Sequence, residues 1–271
     1  MSHHLMVAAG DTRLYAVDTP GARPAVLFLS GGFGTVQNWN GVIGRLGGKY
    51  RTVRFDPRAR GKSGRSSDYS VQTAVDDVGR VIDATGVENP ILVGWSLGAT
   101  IAVRYAAQHP ARVGGLVLVD GAYPIAMFDD AAKEKVRAQF RRLRWMMRIL
   151  GALGRSARMT AAESADVVIE MDAVNGELGP DFTALECPAA FVVGSGAHSG
   201  ATEEEMRTVR AAVADAEASN RSVSVFATTP HKHTQILNRD PGTVAAAIEY
   251  VIREARSAPR AAGGKRVSRT R

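Results

Sequence analysis

The sequence predicts an α/β protein: a mostly parallel, twisted sheet with helices on both faces and one helical insertion. Short β-branched runs alternate with longer segments of helical periodicity, the rhythm of repeated strand–helix–strand crossovers. At 271 residues, 45% hydrophobic and 23% charged, the chain has the composition of a globular protein with one large core or two small ones. One interval breaks the rhythm by separating two strand runs much further than a single crossover helix requires, and no internal repeat is visible.

The opening segment "MSHHLMVAAGDTRLY" lacks the long apolar core of a signal peptide, and His3 and His4 read as part of a frayed terminus. Strand runs follow at 12–17, 25–30, 52–56, 91–95, 116–120, 189–193 and 223–227. Between the third and fourth, "SVQTAVDDVGRVIDATG" sets Val71, Val75, Val78 and Ile82 on one helical face, with Gly86 as its stop. The long interval, 123–185, reads as a helical cap inserted into a core formed by 1–122 and 186–254. Its first helix carries Val136, Phe140, Leu143, Met147 and Leu150 on one stripe and Arg137, Arg141, Arg144 and Arg148 on the next. The apolar stripe packs over the sheet and the Arg face is solvated; contact with a membrane surface or an anionic substrate is the other reading. Later, Thr202 and Glu205 form a capping box, and Asp240 and Pro241 are the N-cap and first residue of the last helix.

Charge and cysteine content narrow the function classes. Of the net charge of +7, the segment 253–271 supplies +6, seven Arg/Lys against one Glu. The basicity is therefore mostly a tail, 255–271, expected to be disordered and solvated, with an anion- or nucleic-acid-binding arm the other reading; no aromatic residues interleave with its cations, so nucleic acid is not the expected partner. Lone Cys187 cannot form an internal disulfide, and no apolar run reaches the ~20 residues of a membrane span. The expectation is a cytoplasmic protein without a membrane span, acting on a small molecule.

The strongest chemical signal is "NPILVGWSLGATIAVRYAAQHP", where a strand run meets Ser96 inside Gly94-Trp95-Ser96-Leu97-Gly98 and a helical pattern follows at once. That context makes a nucleophile elbow, a strained turn presenting the hydroxyl above the sheet. A serine hydroxyl needs a base within hydrogen-bond reach, itself oriented by a third group. His109 sits at the end of the elbow helix, where the helix dipole accounts for it. In "TTPHKHTQILNRDPGTV", His233 follows the last strand and should emerge at the same sheet edge as Ser96; it is the expected base, with His231 more exposed. As a metal H-x-H the pair lacks a third ligand, so neither metal nor cofactor is expected. The oxyanion donors expected are the N–H groups of Leu97 and of Gly32, in "LFLSGGFGTVQNW".

Four segments in order resemble the α/β-hydrolase superfamily. "LSGGFGTVQNW" resembles H-G-G-x-G with a following Trp, Ser30 standing for the His and Trp39 matching. "FDPRARGKSGRS" resembles the structural D-x-R-G-x-G-x-S with Ala59 for its first Gly; "VGWSLGA" matches the elbow, and "HTQILNRDPGTVAAAIEYV" the histidine loop and final helix. The resemblance implies the α/β-hydrolase fold and a serine hydrolase with a helical cap. It also exposes a departure. Members commonly carry the triad acid as G-x-x-D after the strand that follows the cap, whereas Gly194-Ser195-Gly196-Ala197 has alanine there. The resemblance to haloalkane-dehalogenase-like and zearalenone-lactonase-like members moves the acid to Asp120, in "GLVLVDGAYP", ahead of the cap; Glu203 is the alternative, and absence of any acid the third. His198 either faces the site or fills the space an acid would have taken.

The expected activity is hydrolysis of a carboxylic ester or lactone through an acyl-enzyme. Thioester and carbon–carbon hydrolysis and peracid formation use the same machinery, and a non-catalytic ligand-binding member of the fold is the alternative of another class. A Ser at the elbow argues against dehalogenase and epoxide hydrolase chemistry, which needs an Asp nucleophile there. Phe33, Trp95, Trp145 and Met146 are the expected substrate-binding residues; Met147 and Phe128 add to an apolar pocket under the cap, though packing against the sheet accounts for the cap residues equally well.

Overall fold

The computed structural model describes residues 1–152, 157–194 and 202–257. Ser195, Gly196, Ala197, His198 and most of the basic tail therefore lie outside the described residues. The strands are β1 (His3–Ala9), β2 (Thr12–Thr19), β3 (Ala22–Leu29), β4 (Tyr50–Phe55), β5 (Ile91–Trp95), β6 (Gly115–Val119), β7 (Ala189–Gly194) and β8 (Val223–Thr229). They form one eight-stranded sheet in the order β1-β2-β4-β3-β5-β6-β7-β8. Pairings β1/β2 and β2/β4 are antiparallel and the rest parallel.

The α-helices are α1 (Asn40–Arg45), α2 (Val71–Thr85), α3 (Leu97–Gln108), α4 (Asp130–Ala152), α5 (Ala161–Gly176), α6 (Leu178–Ala184), α7 (Glu203–Ser219), α8 (Ile236–Arg239) and α9 (Pro241–Ser257), and short 3-10 turns at Val36–Trp39 and Pro110–Arg112 complete the described elements. Because strand side chains alternate between faces, the central strands divide between two cores. Leu27, Leu92, Leu116 and Phe191 pack with α2, α3 and α7; Val26, Val93, Val117 and Val192 pack with α1, α8 and α9. The family-type arrangement expected from the sequence, a mostly parallel sheet covered on both faces and interrupted by helices between β6 and β7, is thus present.

Three local signals act as anticipated. Gly86 caps α2 in the left-handed region (φ 61°), Thr202 and Glu205 exchange capping hydrogen bonds, and Asp240 Oδ1 accepts from the Thr243 hydroxyl ahead of α9. The N-terminus corrects the expectation of fraying: residues 3–9 are an edge strand in register with β2, and His4 Nδ1 lies 2.6 Å from the Tyr15 hydroxyl. Its Met, Leu and Ala carry little β-branched signal, so the strand is specified by pairing rather than propensity. No described helix is long and apolar enough to cross a membrane.

Cys187 is buried ahead of β7, and burial pushes its thiol pKa up to about 12. Native protein at pH 8 should therefore resist iodoacetamide for hours while denatured protein alkylates within minutes, as read by intact mass.

Candidate active site

Every expected chemical group emerges where a parallel strand ends on the same edge of the sheet. Ser96 is the residue between β5 and α3, with φ 56° and ψ −124°, and its N–H donates to the Val119 carbonyl at 3.0 Å. A side chain in that backbone region costs of order 1–3 kcal/mol, and the surroundings hold it there. The turn is that tight because glycines flank it. A Cβ at Gly98 would strike the Leu29 carbonyl, and one at Gly94 the Gly98 carbonyl, so β3, β5 and α3 approach only without those side chains.

Asp120 follows β6 directly. It is 2% exposed with φ 46°, and its N–H donates to the Val192 carbonyl at 2.9 Å, continuing the sheet by one residue. Its carboxylate is engaged on both oxygens. Oδ1 accepts from the Tyr123 hydroxyl at 2.5 Å and from the Gly194 N–H at 3.0 Å, while Oδ2 lies 2.8 Å from His233 Nδ1. Burial first, and then the neighbouring Asp120 charge, push the Tyr123 phenol well above its ordinary pKa, so it stays a neutral donor to the carboxylate. Tyr123 escaped the sequence reading; its signal was a phenol three residues past a strand-end aspartate.

His233 lies in the loop between β8 and α8, its ring stacked on that of Trp95 with centroids 5.3 Å apart. Ser96, Asp120 and His233 line one cavity of about 440 Å³. Its apolar wall includes Met127, Phe128, Met171, Met206 and Val209, from the segment before α4 and from α5 and α7. A hydrogen bond of 2.7 Å from Thr100 to Asn175 closes another side, tying α3 to α5. Glu203, the rival acid, is in the exposed first turn of α7, and the glutamate lining the cavity is Glu205.

The expected substrate-binding residues separate. Trp95 stacks on His233, and Phe33 packs on Phe140 of α4 with ring centroids 5.6 Å apart. None of the four is among the residues lining the cavity, and Trp145 and Met146 depart furthest from the expectation: they are 63% and 51% exposed, on the outer side of α4. Of the stripe expected to pack over the sheet, Met147 is buried and Phe140 half-buried, but the helix packs chiefly on α5 rather than on strands.

The loop after β3 is held from behind. Gly34 N–H donates to the Gly31 carbonyl at 3.0 Å, which fixes the plane of the peptide carrying the Gly32 N–H. Arg60 donates to the Gly32 carbonyl through Nε (2.8 Å) and Nη2 (2.5 Å), and through Nη1 to the Arg58 carbonyl at 2.6 Å. Arg60 is 4% exposed, and burial lowers its pKa to about 10. Its motif neighbours are structural: Arg58 forks onto Asp77 at 2.8 and 2.9 Å, and Asp56 accepts from the N–H groups of Val36 and Lys62. Ser30, where the resembled pattern has His, accepts from the buried Trp39 indole at 3.1 Å.

A strained serine above a mostly parallel sheet, sharing a cavity with a hydrogen-bonded histidine–aspartate pair, defines an α/β-hydrolase type of protein. The chain belongs to that family: the model of the alpha/beta hydrolase fold matches residues 24–161, just over half of it. RutD of Variovorax paradoxus, provisionally named a carbamate hydrolase, is 35% identical over 109 residues, 39% of this chain and 41% of its own. Epoxide hydrolase B of Mycobacterium tuberculosis is 37% identical over 124 residues, 42% of this chain and 34% of its own. The chain thus spans well under half the length of these curated relatives. The enol-lactonase of Burkholderia xenovorans LB400 superposes with a TM-score of 0.69 at 18% identity, over 92% of this chain and 100% of that one, a likeness of fold.

Proposed function

We propose that the protein is a cofactor-free serine hydrolase that cleaves a small carboxylic ester or lactone through an acyl-enzyme. The Asp120–His233 hydrogen bond, in a cavity shared with Ser96, carries this reading. With Nδ1–H donated to Asp120, the imidazole presents its Nε2 lone pair, the tautomer a base requires. His233 takes the Ser96 proton as Oγ attacks the substrate carbonyl carbon, and the resulting oxyanion rests on the N–H groups of Leu97 and Gly32. Collapse expels the alkoxide, which takes the proton from His233. Water, deprotonated by the same nitrogen, then attacks the acyl carbon, and the carboxylic acid leaves as Ser96 regains its proton.

The elbow residue separates this chain from the epoxide hydrolase it resembles in part, since that chemistry uses an aspartate nucleophile where Ser96 stands. The methionine-rich wall suits an apolar acyl or alcohol group of variable shape. A panel of p-nitrophenyl esters, lactones, thioesters and aryl carbamates tests the bond class. Esters or lactones should turn over at least tenfold faster in kcat/KM than the other two; the reverse ranking would replace the ester reading.

Arg60 makes a separate prediction through Gly32, whose carbonyl it holds next to the N–H offered as donor. Arg60→Met should lower kcat by about 10- to 100-fold with KM changed less than about threefold, because a loosened donor is felt mainly in the transition state. Steady-state kinetics on one ester, with an urea unfolding curve as control, gives both numbers.

A further inference from the structure

We propose that the outer face of α4 docks on an anionic phospholipid bilayer. On this face Trp145, Met146 and Ile149 are 63%, 51% and 61% exposed, an apolar cluster on two turns of one helix. The charge around it is predominantly positive. From 135 to 150 the helix carries Lys135, Arg137, Arg141, Arg142, Arg144 and Arg148 and neither Asp nor Glu. Glu134, just ahead of this stretch, pairs with Arg141 at 2.7 Å and approaches Arg137 at 3.9 Å. The guanidinium of Arg148 lies over the Trp145 ring, 5.5 Å from its centroid. Beside them a groove of about 460 Å³ is lined by Arg65, Arg144, Arg148 and Arg158.

The combination selects the occupant. A bilayer surface offers phosphates at the depth of the arginines, an interfacial layer for the indole, and acyl chains below it for Met146 and Ile149. A second copy presenting the same face would set like charges together around its apolar centre. A nucleic acid would pair with the arginines and leave two aliphatic side chains against solvent and phosphate. The inner side of α4 meets Phe33 of the loop after β3, so a docked membrane would lie on the helices inserted between β6 and β7. The proposal does not depend on the hydrolase reading.

Sedimentation of the full chain with vesicles tests it. Phosphatidylcholine vesicles containing 30% phosphatidylglycerol should bind the protein at least tenfold more tightly than phosphatidylcholine alone, and 0.5 M NaCl should release most of it. Trp145→Glu with Ile149→Glu, and separately Arg141→Glu with Arg142→Glu and Arg148→Glu, should each weaken binding at least tenfold. All five side chains lie on an exposed face, and an unchanged unfolding midpoint establishes that the variants fold. Replacing Lys265, Arg266, Arg269 and Arg271 by Ser should change binding less than threefold. The proposal is overturned if the wild type ignores the phosphatidylglycerol vesicles or if the Trp145/Ile149 variant binds them like wild type. It is also overturned if the tail variant alone abolishes binding, or if the face proves to bind duplex DNA or a second copy in place of vesicles.

Discussion

Ser96→Ala is expected to lower kcat on an activated ester by about 10⁶-fold and to leave the fold intact. The loss is that large because, on the proposed mechanism, the remaining base and two amides would have no nucleophile to assist. Water can enter the cavity, but it lacks the placement that the strained turn gives Oγ. Alanine inherits the φ of 56°, so this variant keeps the strain, and its stability should stay within about 0.5 kcal/mol of wild type. Ser96→Gly should be equally inactive yet more stable by about 1 kcal/mol, since glycine adopts that backbone without the Cβ penalty and gives back part of the gain through a freer unfolded chain. Urea titrations of both variants, beside a kcat measurement, separate the catalytic cost of losing the hydroxyl from the conformational cost of holding it.

Asp120→Asn should lower kcat by about 10⁴-fold while the protein stays folded, and Glu203→Gln should change it less than about twofold. The geometry explains the size. Oδ1 is already committed to the Tyr123 hydroxyl and the Gly194 N–H, so an asparagine would keep its carbonyl oxygen there and turn its NH₂ toward His233. Two donors would then face each other, and the imidazole would escape by moving its proton to Nε2, the atom that has to accept from serine. Turning the amide round would instead aim NH₂ at two buried donors, which is worse. Tyr123→Phe removes one donor and should cost less than about tenfold in kcat, because Gly194 still holds the oxygen. Should Glu203→Gln prove the damaging change and Asp120→Asn the mild one, the acid would belong on the later strand after all.

The Asp120–His233 contact was legible largely through what the sequence lacks. Alanine at 197 left the usual position without a carboxylate, and the resemblance to members with the acid ahead of the cap pointed to Asp120; in the structure that side chain meets His233 at 2.8 Å. Ser96 was legible because hydrophobic periodicity changes from strand to helix at that residue. Arg60 was not. Its partner carbonyl is 28 residues away in the chain, and an arginine among Arg, Lys, Gly and Ser reads as solvated until the fold buries it. The cavity wall was also hidden, since Met171 and Met206 come from helices whose relative placement no local pattern fixes. On α4 the difficulty was of another kind: the helix carries apolar residues on two faces, and Trp145 with Met146 belongs to the outer one. Edge strand β1 escaped because Met, Leu and Ala give no strand signal until β2 supplies the partner.

In the proposed mechanism Ser96 is a nucleophile activated by the Asp120–His233 pair. Labelling with a fluorophosphonate tests it most directly, because phosphonylation reports nucleophilicity without knowledge of the substrate. Intact mass should show one adduct on the wild type within minutes, mapped by peptide sequencing to Ser96, with labelling slowed at least 10³-fold in Asp120→Asn and absent in Ser96→Ala. Wild type that labels no faster than Ser96→Ala, or an adduct on another residue, would contradict it.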